Sequence, residues 1–233
     1  MNKISIIIPT LNEEDHIETL LEHLIANTSK RNIKEIIVVD GGSNDNTVAL
    51  ARSFKEATLI NSPRGRAKQM NLGARQASGS VLYFLHADSL PPKHFDTLIL
   101  NEIDKGNLAG CFKMKFNTNH WWLKLAGWFT QFSWRIARGG DQSQFITTAL
   151  FNSIGGFNED FKIYEDNDLI AKLYKRKQFV VIQEWLITSS RRYKTRGMCK
   201  LQYHYWNIHL RRLLGADAQT LNKYYLKYVL VKK

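Results

Sequence analysis

The chain opens on a β-α-β signature that leaves few folds open to it. KISIIIPTLNEEDHIETLLEHL, from Lys3, sets a β-branched run ending at Pro9 before an amphipathic helix. EIIVVDGGSNDNT, from Glu35, sets a second apolar run that ends on Asp40. Ile17, Leu20, Leu21, Leu24 and Ile25 recur at three- and four-residue spacing, which predicts one buried helix face. Asn12 is the expected N-cap, with Glu13, Glu14 and Asp15 in the first turn, where acid suits the helix dipole. In open α/β sheets, ligands bind at the carboxyl ends of strands joined in this way. An acidic residue at that edge suits hydrogen bonding to a base or ribose better than direct contact with phosphate.

The alternation continues. A helix after Asp45 turns Val48, Ala51 and Phe54 inward, and residues 57–60 read as a short third strand. RGRAKQMNLGARQASG reads as a basic helix ending near Gly79, and VLYFLHAD at 81–88 as a central strand buried on both faces. Phe95, Leu98, Ile99 and Ile103 mark another helix. Strands alternating with helices predict an α/β fold with a mostly parallel central sheet flanked by helices.

The pattern changes after Gly106. Residues 108–116 read as a strand, followed by the aromatic and cationic HWWLKLAGWFTQFSWRIAR. QFITTALF at 144–151 is a strand candidate, 166–175 a helix, and 179–187 one or two strands. Residues 199–214 form an amphipathic helix with Tyr203, Trp206, Leu210 and Leu213 on one side. No repeat or linker divides residues 1–233, so they read as a single domain.

Net charge is +12, from 33 Lys and Arg against 21 Asp and Glu, a balance that suits polyanions such as nucleotide diphosphates or anionic lipid. The two cysteines, Cys111 and Cys199, lack metal-ligand or CxxC spacing, so a reduced, cytoplasmic setting is expected. The N-terminal run is too short for a signal peptide, and no apolar run reaches the roughly 18–20 residues of a membrane span.

IIIPTLNEE, VVDGGSNDNT, GRAKQMNLGARQASG, FLHADS and GGFNEDFKIYEDNDL occur in the order found in family 2 glycosyltransferases of the GT-A fold, which the chain resembles over about residues 3–175. GGDQ, EDNDL and SSRRY further resemble a subgroup linked to arsenosugar biosynthesis. The resemblance implies a Rossmann-like nucleotide-diphospho-sugar transferase fold. It also implies a UDP-linked donor, Mg²⁺ or Mn²⁺, and inverting displacement onto an acceptor. Residues 1–106 would be the nucleotide-binding half and 107–233 the acceptor-side half with C-terminal helices.

By the same resemblance, Pro9, Thr10, Asn12 and Glu13 belong to a loop lining the nucleotide pocket. Asp40 contacts the donor base, its acceptor-only carboxylate suiting an imide N–H; the alternative is an Asp that caps its own turn. Gly41 stands where many relatives carry a second Asp. Arg66, ahead of Asn71, is the better candidate for the diphosphate among Arg64, Arg66 and Lys68, which otherwise read as a solvated basic face. His86, Ala87 and Asp88 occupy the place of the DxD motif. Asp88 is the expected metal ligand, and His86 is expected to meet the ribose, the donor sugar or Mn²⁺.

Asp166 is the expected general base, with Glu165 positioning the acceptor. Adjacent carboxylates raise each other's pKa, bringing a base nearer working pH. Asp141 and Gln142 are expected on the acceptor side, with a loop turn as the alternative, and Arg191 and Arg192 at the leaving diphosphate, with a solvent-facing basic strand end as the alternative. Trp121, Trp122, Trp128, Phe129, Phe132 and Trp134, with Lys124, Arg135 and Arg138, read first as packing beneath the site, and alternatively as a membrane interface or lipid groove. The basic NKYYLKYVLVKK end adds charge for anionic lipid.

The expected partners are a nucleotide-sugar donor and an acceptor left open between lipid, sugar and small metabolite. Nucleic acid is not among them, because no binding motif for it is visible. The expected location is cytoplasmic, with the inner face of the membrane as a second seat. The rival is a non-catalytic basic lipid- or nucleic-acid-binding protein on a transferase scaffold, supported by the altered HAD motif and opposed by Asp40, Asp88 and Asp166 together. A nucleotidyltransferase is disfavoured by the acidic, glycine-free loop PTLNEEDH.

Overall fold

The opening alternation folds as predicted in the computed structural model, which describes residues 2–230. Strands β1 (Ile4–Thr10) and β2 (Ile33–Asp40) flank helix α1 (Glu14–Ala26) and pair in parallel, bringing Thr10 beside Asp40. Helix α2 (Thr47–Arg52), strand β3 (Ala57–Asn61), helix α3 (Arg66–Gln76) and strand β4 (Val81–Phe84) extend the unit. Then come β5 (Ser89–Leu90), α4 (Phe95–Asp104), β6 (Ala109–Phe116) and α5 (Trp121–Phe129). Two single 3-10 turns, Arg135–Ala137 and Gly140–Gln142, lead into β7 (Gln144–Thr147) and α6 (Thr148–Ser153). Helix α7 (Glu165–Lys175), β8 (Val180–Thr188), α8 (Arg191–Arg196), α9 (Met198–Leu213) and α10 (Ala218–Tyr228) complete the described chain.

The eight strands form one sheet in the order β3-β2-β1-β4-β7-β6-β8-β5. The β3-β2-β1-β4 run is parallel throughout, β7 is antiparallel to both its neighbours, and β6 and β8 are parallel. Alternate residues explain the continuous apolar strands. Ile6, Ile8, Ile36 and Val38 pack with α1 and α4 on one face, whereas Ile7, Ile37 and Val39 pack with α3, α6 and α7 on the other. The helix glycine Gly73 lets α3 approach that second face: a Cβ there would lie 2.5 Å from Ile7 Cγ2.

Three sequence expectations change. Asn12 does not cap α1: it adopts φ 55, and its side chain accepts from Asn44 N at 2.9 Å. Glu13 N and Glu14 N at the start of α1 are met across the fold by Thr47 Oγ1 (2.8 Å) and Asp45 Oδ2 (3.2 Å). The strand at 144–151 stops after Thr147, whose side chain accepts from Leu150 N and caps α6. On α9 the Tyr203–Trp206–Leu210–Leu213 stripe shares one side, as its spacing predicts; that side faces out, and Leu201, His204 and Ile208 face inward. The third change concerns the tryptophan-rich segment, which leaves Trp121, Trp128 and Trp134 exposed rather than packed beneath the site, while its Arg138 is buried. Strand β5 and helices α8 and α10 were not anticipated from sequence. The final residues of the basic terminal run, 231–233, lie outside the described residues.

Candidate active site

The carboxyl ends of β1, β2 and β4 open onto one edge of the sheet, where the strand order turns back at the β1–β4 pair. Pro9 at the end of β1, His86 after β4, and Gly140, Gln144 and Asp166 from the second half line a common cleft there.

Asp40 is buried and heavily engaged. Its Oδ2 accepts from Gly42 N (2.8 Å) and Ser43 N (2.9 Å), and its Oδ1 from Ser43 Oγ (2.5 Å) and, at 3.4 Å, Thr10 Oγ1. The turn-capping alternative is therefore realised in the structure. Gln69, absent from the sequence reading, locks this corner by donating to Thr10 O and Val39 O, both at 2.8 Å. It also occupies the space beside Gly41, where a Cβ would lie 3.0 Å from its amide. A second carboxylate at position 41 would crowd this buried amide.

Two arginines organise the remaining charge. Arg191 Nη2 lies 2.6 Å from Glu13 Oε1 and 3.2 Å from Asp88 Oδ2. Burial works against its charge, but Glu13 and Asp88 outweigh that and raise its pKa. Arg66 Nε lies 3.2 Å from Glu165 Oε1, and its Nη1 donates to Asp166 Oδ2 at 3.3 Å. Burial opposes the Arg66 charge too, and Glu165, Asp166 and Asp141 more than offset it, keeping the group protonated. Arg192 reaches the surface with its guanidinium partly shielded from water; that shielding opposes its charge, and Tyr205 and Asp141 more than offset it, raising its pKa.

Asp166 sits in the first turn of α7, which starts from a left-handed Tyr164 at φ 75. Burial, then the neighbouring Glu165 charge, push Asp166 up to about 7, against the lowering effect of Arg66. Gly140 abuts it so closely that a Cβ would lie 1.9 Å from Asp166 Oδ2. His86, half-buried on the same cleft, is pushed below its usual range by burial and then by Arg66, so it is neutral at pH 7.

Not every expected residue faces the cleft. The Asn71 amide is committed to Phe157 O (2.9 Å), Glu159 Oε1 (2.9 Å) and Phe157 N (3.0 Å), so it fastens α3 to the loop before α7 instead of meeting a donor. Gln142 is buried, accepting from Arg138 Nη1 at 2.9 Å and donating to Ala137 O at 2.6 Å. Its hydrogen-bonding capacity holds the loop, which removes it from the acceptor side. Ala87 packs into the core, and Asp141 is exposed. Conversely, Gln144 was missed. It lies 4% exposed on the cleft, and neither its amide oxygen nor its nitrogen has a protein partner. It follows Ser143, held at φ 58, and such buried, unmet polarity beside backbone strain is typical of a ligand contact. No local sequence pattern distinguishes it from a core strand residue.

No group of three or more His, Cys, Asp or Glu able to cage a metal occurs among the described residues. Asp88, two residues beyond the cleft-lining His86, shares Arg191 with Glu13, whose Oε2 is buried and unpaired; this pair fits the other mode, in which one or two carboxylates share a hard cation with substrate phosphates.

A match to glycosyl transferase family 2 spans residues 5–177. The chain belongs to that family. Among its relatives, Escherichia coli YibD, an uncharacterized glycosyltransferase, is 27% identical over 97% of this chain and 69% of its own length. The undecaprenyl-phosphate 4-deoxy-4-formamido-L-arabinose transferase of Proteus mirabilis is 25% identical over 78% of this chain and 55% of its own. The chain spans only 31% to 69% of the length of the first curated relatives it matches.

Two solved structures show the shared GT-A fold. Staphylococcus aureus TarS in complex with UDP superposes with a TM-score of 0.68 at 22% identity, covering 80% of this chain and 60% of that one. The Pyrobaculum calidifontis mannosyltransferase PcManGT, in complex with GDP-Man and Mn²⁺, gives 0.66 at 20% identity, covering 98% and 70%. In this family 2 chain the cleft therefore lies at the carboxyl edge of a GT-A sheet. Among the described residues no helix is long and apolar enough to cross a membrane.

Proposed function

We propose that this chain transfers a sugar from a UDP-linked donor to an acceptor hydroxyl by inverting displacement, with Asp166 as the general base. The observation that carries this reading is Asp166 itself: a buried carboxylate on the cleft wall, pushed up to about 7 and held by Arg66. A base of that strength takes the acceptor proton as the acceptor oxygen attacks the anomeric carbon, while the nucleotide diphosphate departs from the opposite side. Glu165 holds Arg66 and sets the local field. Arg66, Arg191 and Arg192 supply positive charge toward the departing diphosphate.

The turn that Asp40 organises, with Pro9, Thr10, Asn12 and Gly41, forms the base pocket, a base imide N–H taking the place of the Ser43 hydroxyl on Asp40 Oδ1. Neutral His86 and the unpaired Gln144 amide face the sugar hydroxyls. Asp88, aided by Glu13, holds Mg²⁺ or Mn²⁺; when bound, the cation neutralises charge on the donor phosphates. The resemblance to the arsenosugar-linked subgroup supports a small metabolite as acceptor, and family 2 membership supports a transfer of the hexosyltransferase type. The names of relatives acting on undecaprenyl- and dolichyl-linked substrates support a lipid acceptor instead.

The test is a thermal-shift panel of UDP, GDP, CDP and ADP, each with and without Mn²⁺. Ligand at about a hundred times its dissociation constant adds roughly 2.7 kcal/mol, several degrees for a chain of this size. UDP stabilisation enhanced by Mn²⁺ is expected. A GDP preference overturns the base assignment, and no response to any nucleotide overturns the transferase reading in favour of a binding protein.

A further inference from the structure

Helices α5 and α9 carry an outward surface that the cleft does not use. On α5, Trp121, Leu125 and Trp128 recur at helical spacing on the exposed side, with Lys124 between them. The chain beyond adds Trp134 and Ile136, the latter 85% exposed. On α9, Tyr203, Trp206, Leu210 and Leu213 point outward, Leu213 being 75% exposed. The Trp122 and Trp206 rings meet edge to face with centroids 6.3 Å apart, so the two helices present one continuous face. Soluble monomers rarely leave so many large apolar side chains together in water, and such patches mark interaction sites.

The surrounding charge selects the occupant. No Asp or Glu occurs between residues 105 and 140 or between 185 and 216. The same stretches set Lys115, Lys124, Arg135, Lys200 and Arg211 in exposed positions. A second copy docked about a two-fold axis would bring these cations against their own counterparts. A layer of anionic headgroups over hydrocarbon satisfies both features at once: headgroups meet the Lys and Arg rim, tryptophans sit at the boundary, and leucines pass beneath it.

We propose that this face seats the protein on an anionic membrane surface, with α5 and α9 lying in the headgroup layer. The seating needs only the exposed face and holds independently of the transfer chemistry. It also orients the cleft. Ile136 stands four residues before Gly140, which abuts Asp166, so at most about 14 Å of chain separates the seated surface from the wall of that carboxylate.

The experiment is sedimentation of the full chain with vesicles of phosphatidylcholine alone or mixed with phosphatidylglycerol, together with quenching of tryptophan fluorescence by lipids brominated along the acyl chain. Binding to the anionic vesicles with at least tenfold preference, quenching by shallow bromines, and weakening by salt are expected. Trp121→Ser with Trp206→Ser, and separately Lys124→Glu, should each lower anionic-vesicle binding at least fivefold while leaving the melting temperature and the nucleotide response unchanged. Vesicle binding without quenching, or binding that the variants do not alter, reduces the effect to net charge and overturns the proposal. A concentration-dependent dimer abolished by the tryptophan substitutions, with no vesicle binding, assigns the face to self-association and overturns it as well. Because the quenching is read on the unaltered chain, it decides the matter even if a variant fails to fold.

Discussion

Arg66 Nη1 lies 3.3 Å from Asp166 Oδ2, while Nε of the same guanidinium lies 3.2 Å from Glu165 Oε1. One cation thus bridges two adjacent buried carboxylates, at the position where the proposed reaction needs both a proton acceptor and positive charge for a leaving diphosphate. The pair couples the two tasks: a diphosphate that draws Arg66 away removes the influence lowering the Asp166 pKa, and so strengthens the base.

The pH dependence follows with a definite sign. Transfer requires ionised Asp166, so kcat/KM should rise with pH through about 7. Arg66→Gln removes a lowering influence and should move this limb to higher pH. Asp166→Asn should cut turnover by about 10² to 10⁴ while nucleotide affinity stays within threefold. Stability runs the other way. The folded-state pKa is raised above the ordinary 3.8, so the folded state binds the proton more tightly and loses stability as pH climbs from about 4 to about 7. Asp166→Asn should therefore melt higher than the parent at pH 8 and close to it at pH 4. A pH-rate profile and melts at the two pH values check both signs.

Gln144 carries a buried amide with no protein partner. Gln144→Leu should keep or raise the melting temperature, because an unsatisfied polar group costs about 1–3 kcal/mol. It should leave UDP binding unchanged and lower kcat/KM for the sugar nucleotide by about tenfold or more. Equal losses for UDP and UDP-sugar would place the amide at the nucleotide instead of the sugar.

Asp88 and Glu13 share Arg191. Asp88→Ala should abolish the Mn²⁺-dependent part of the UDP thermal shift while retaining metal-free binding. Arg191→Met, which frees both carboxylates, should tighten Mn²⁺ binding measured calorimetrically yet slow turnover. An unchanged metal response in Asp88→Ala would reject the ligand assignment.

Asn71 gives the converse expectation. Its three hydrogen bonds to residues 157–159 make it a structural clasp, so Asn71→Ala should lower stability by about 1–3 kcal/mol. Nucleotide affinity, measured by calorimetry well below the melting temperature, should change less than twofold.

Much of the nucleotide half was legible because local rules suffice there. The apolar runs ending at Pro9 and, over Ile36–Val39, just before Asp40, with one periodic helix between them, predict a parallel pair and place Asp40 at a carboxyl edge. The second half was less legible, since its short elements are set by long-range contacts. Strand β5 has two residues, and β7 yields to a helix where the Thr147 hydroxyl finds a backbone N–H. The α9 stripe showed helical spacing correctly, yet spacing does not reveal which of two apolar faces turns inward.

The sequence by itself determined the α/β class, the order of the strand-end motifs and the family, because these rest on periodicity and on residues close in the chain. Only the tertiary structure decided which polar groups are free to act. Asn71 and Gln142 looked like ligand contacts and are spent on the fold, whereas Gln144 read only as the start of a strand and is left unpaired. It also brought Arg66 to Asp166, a hundred positions away in the chain, and turned α5 and α9 outward. The physical reason is that a side chain's hydrogen bonds, burial and pKa belong to its surroundings, and those are assembled from segments whose meeting no local pattern records.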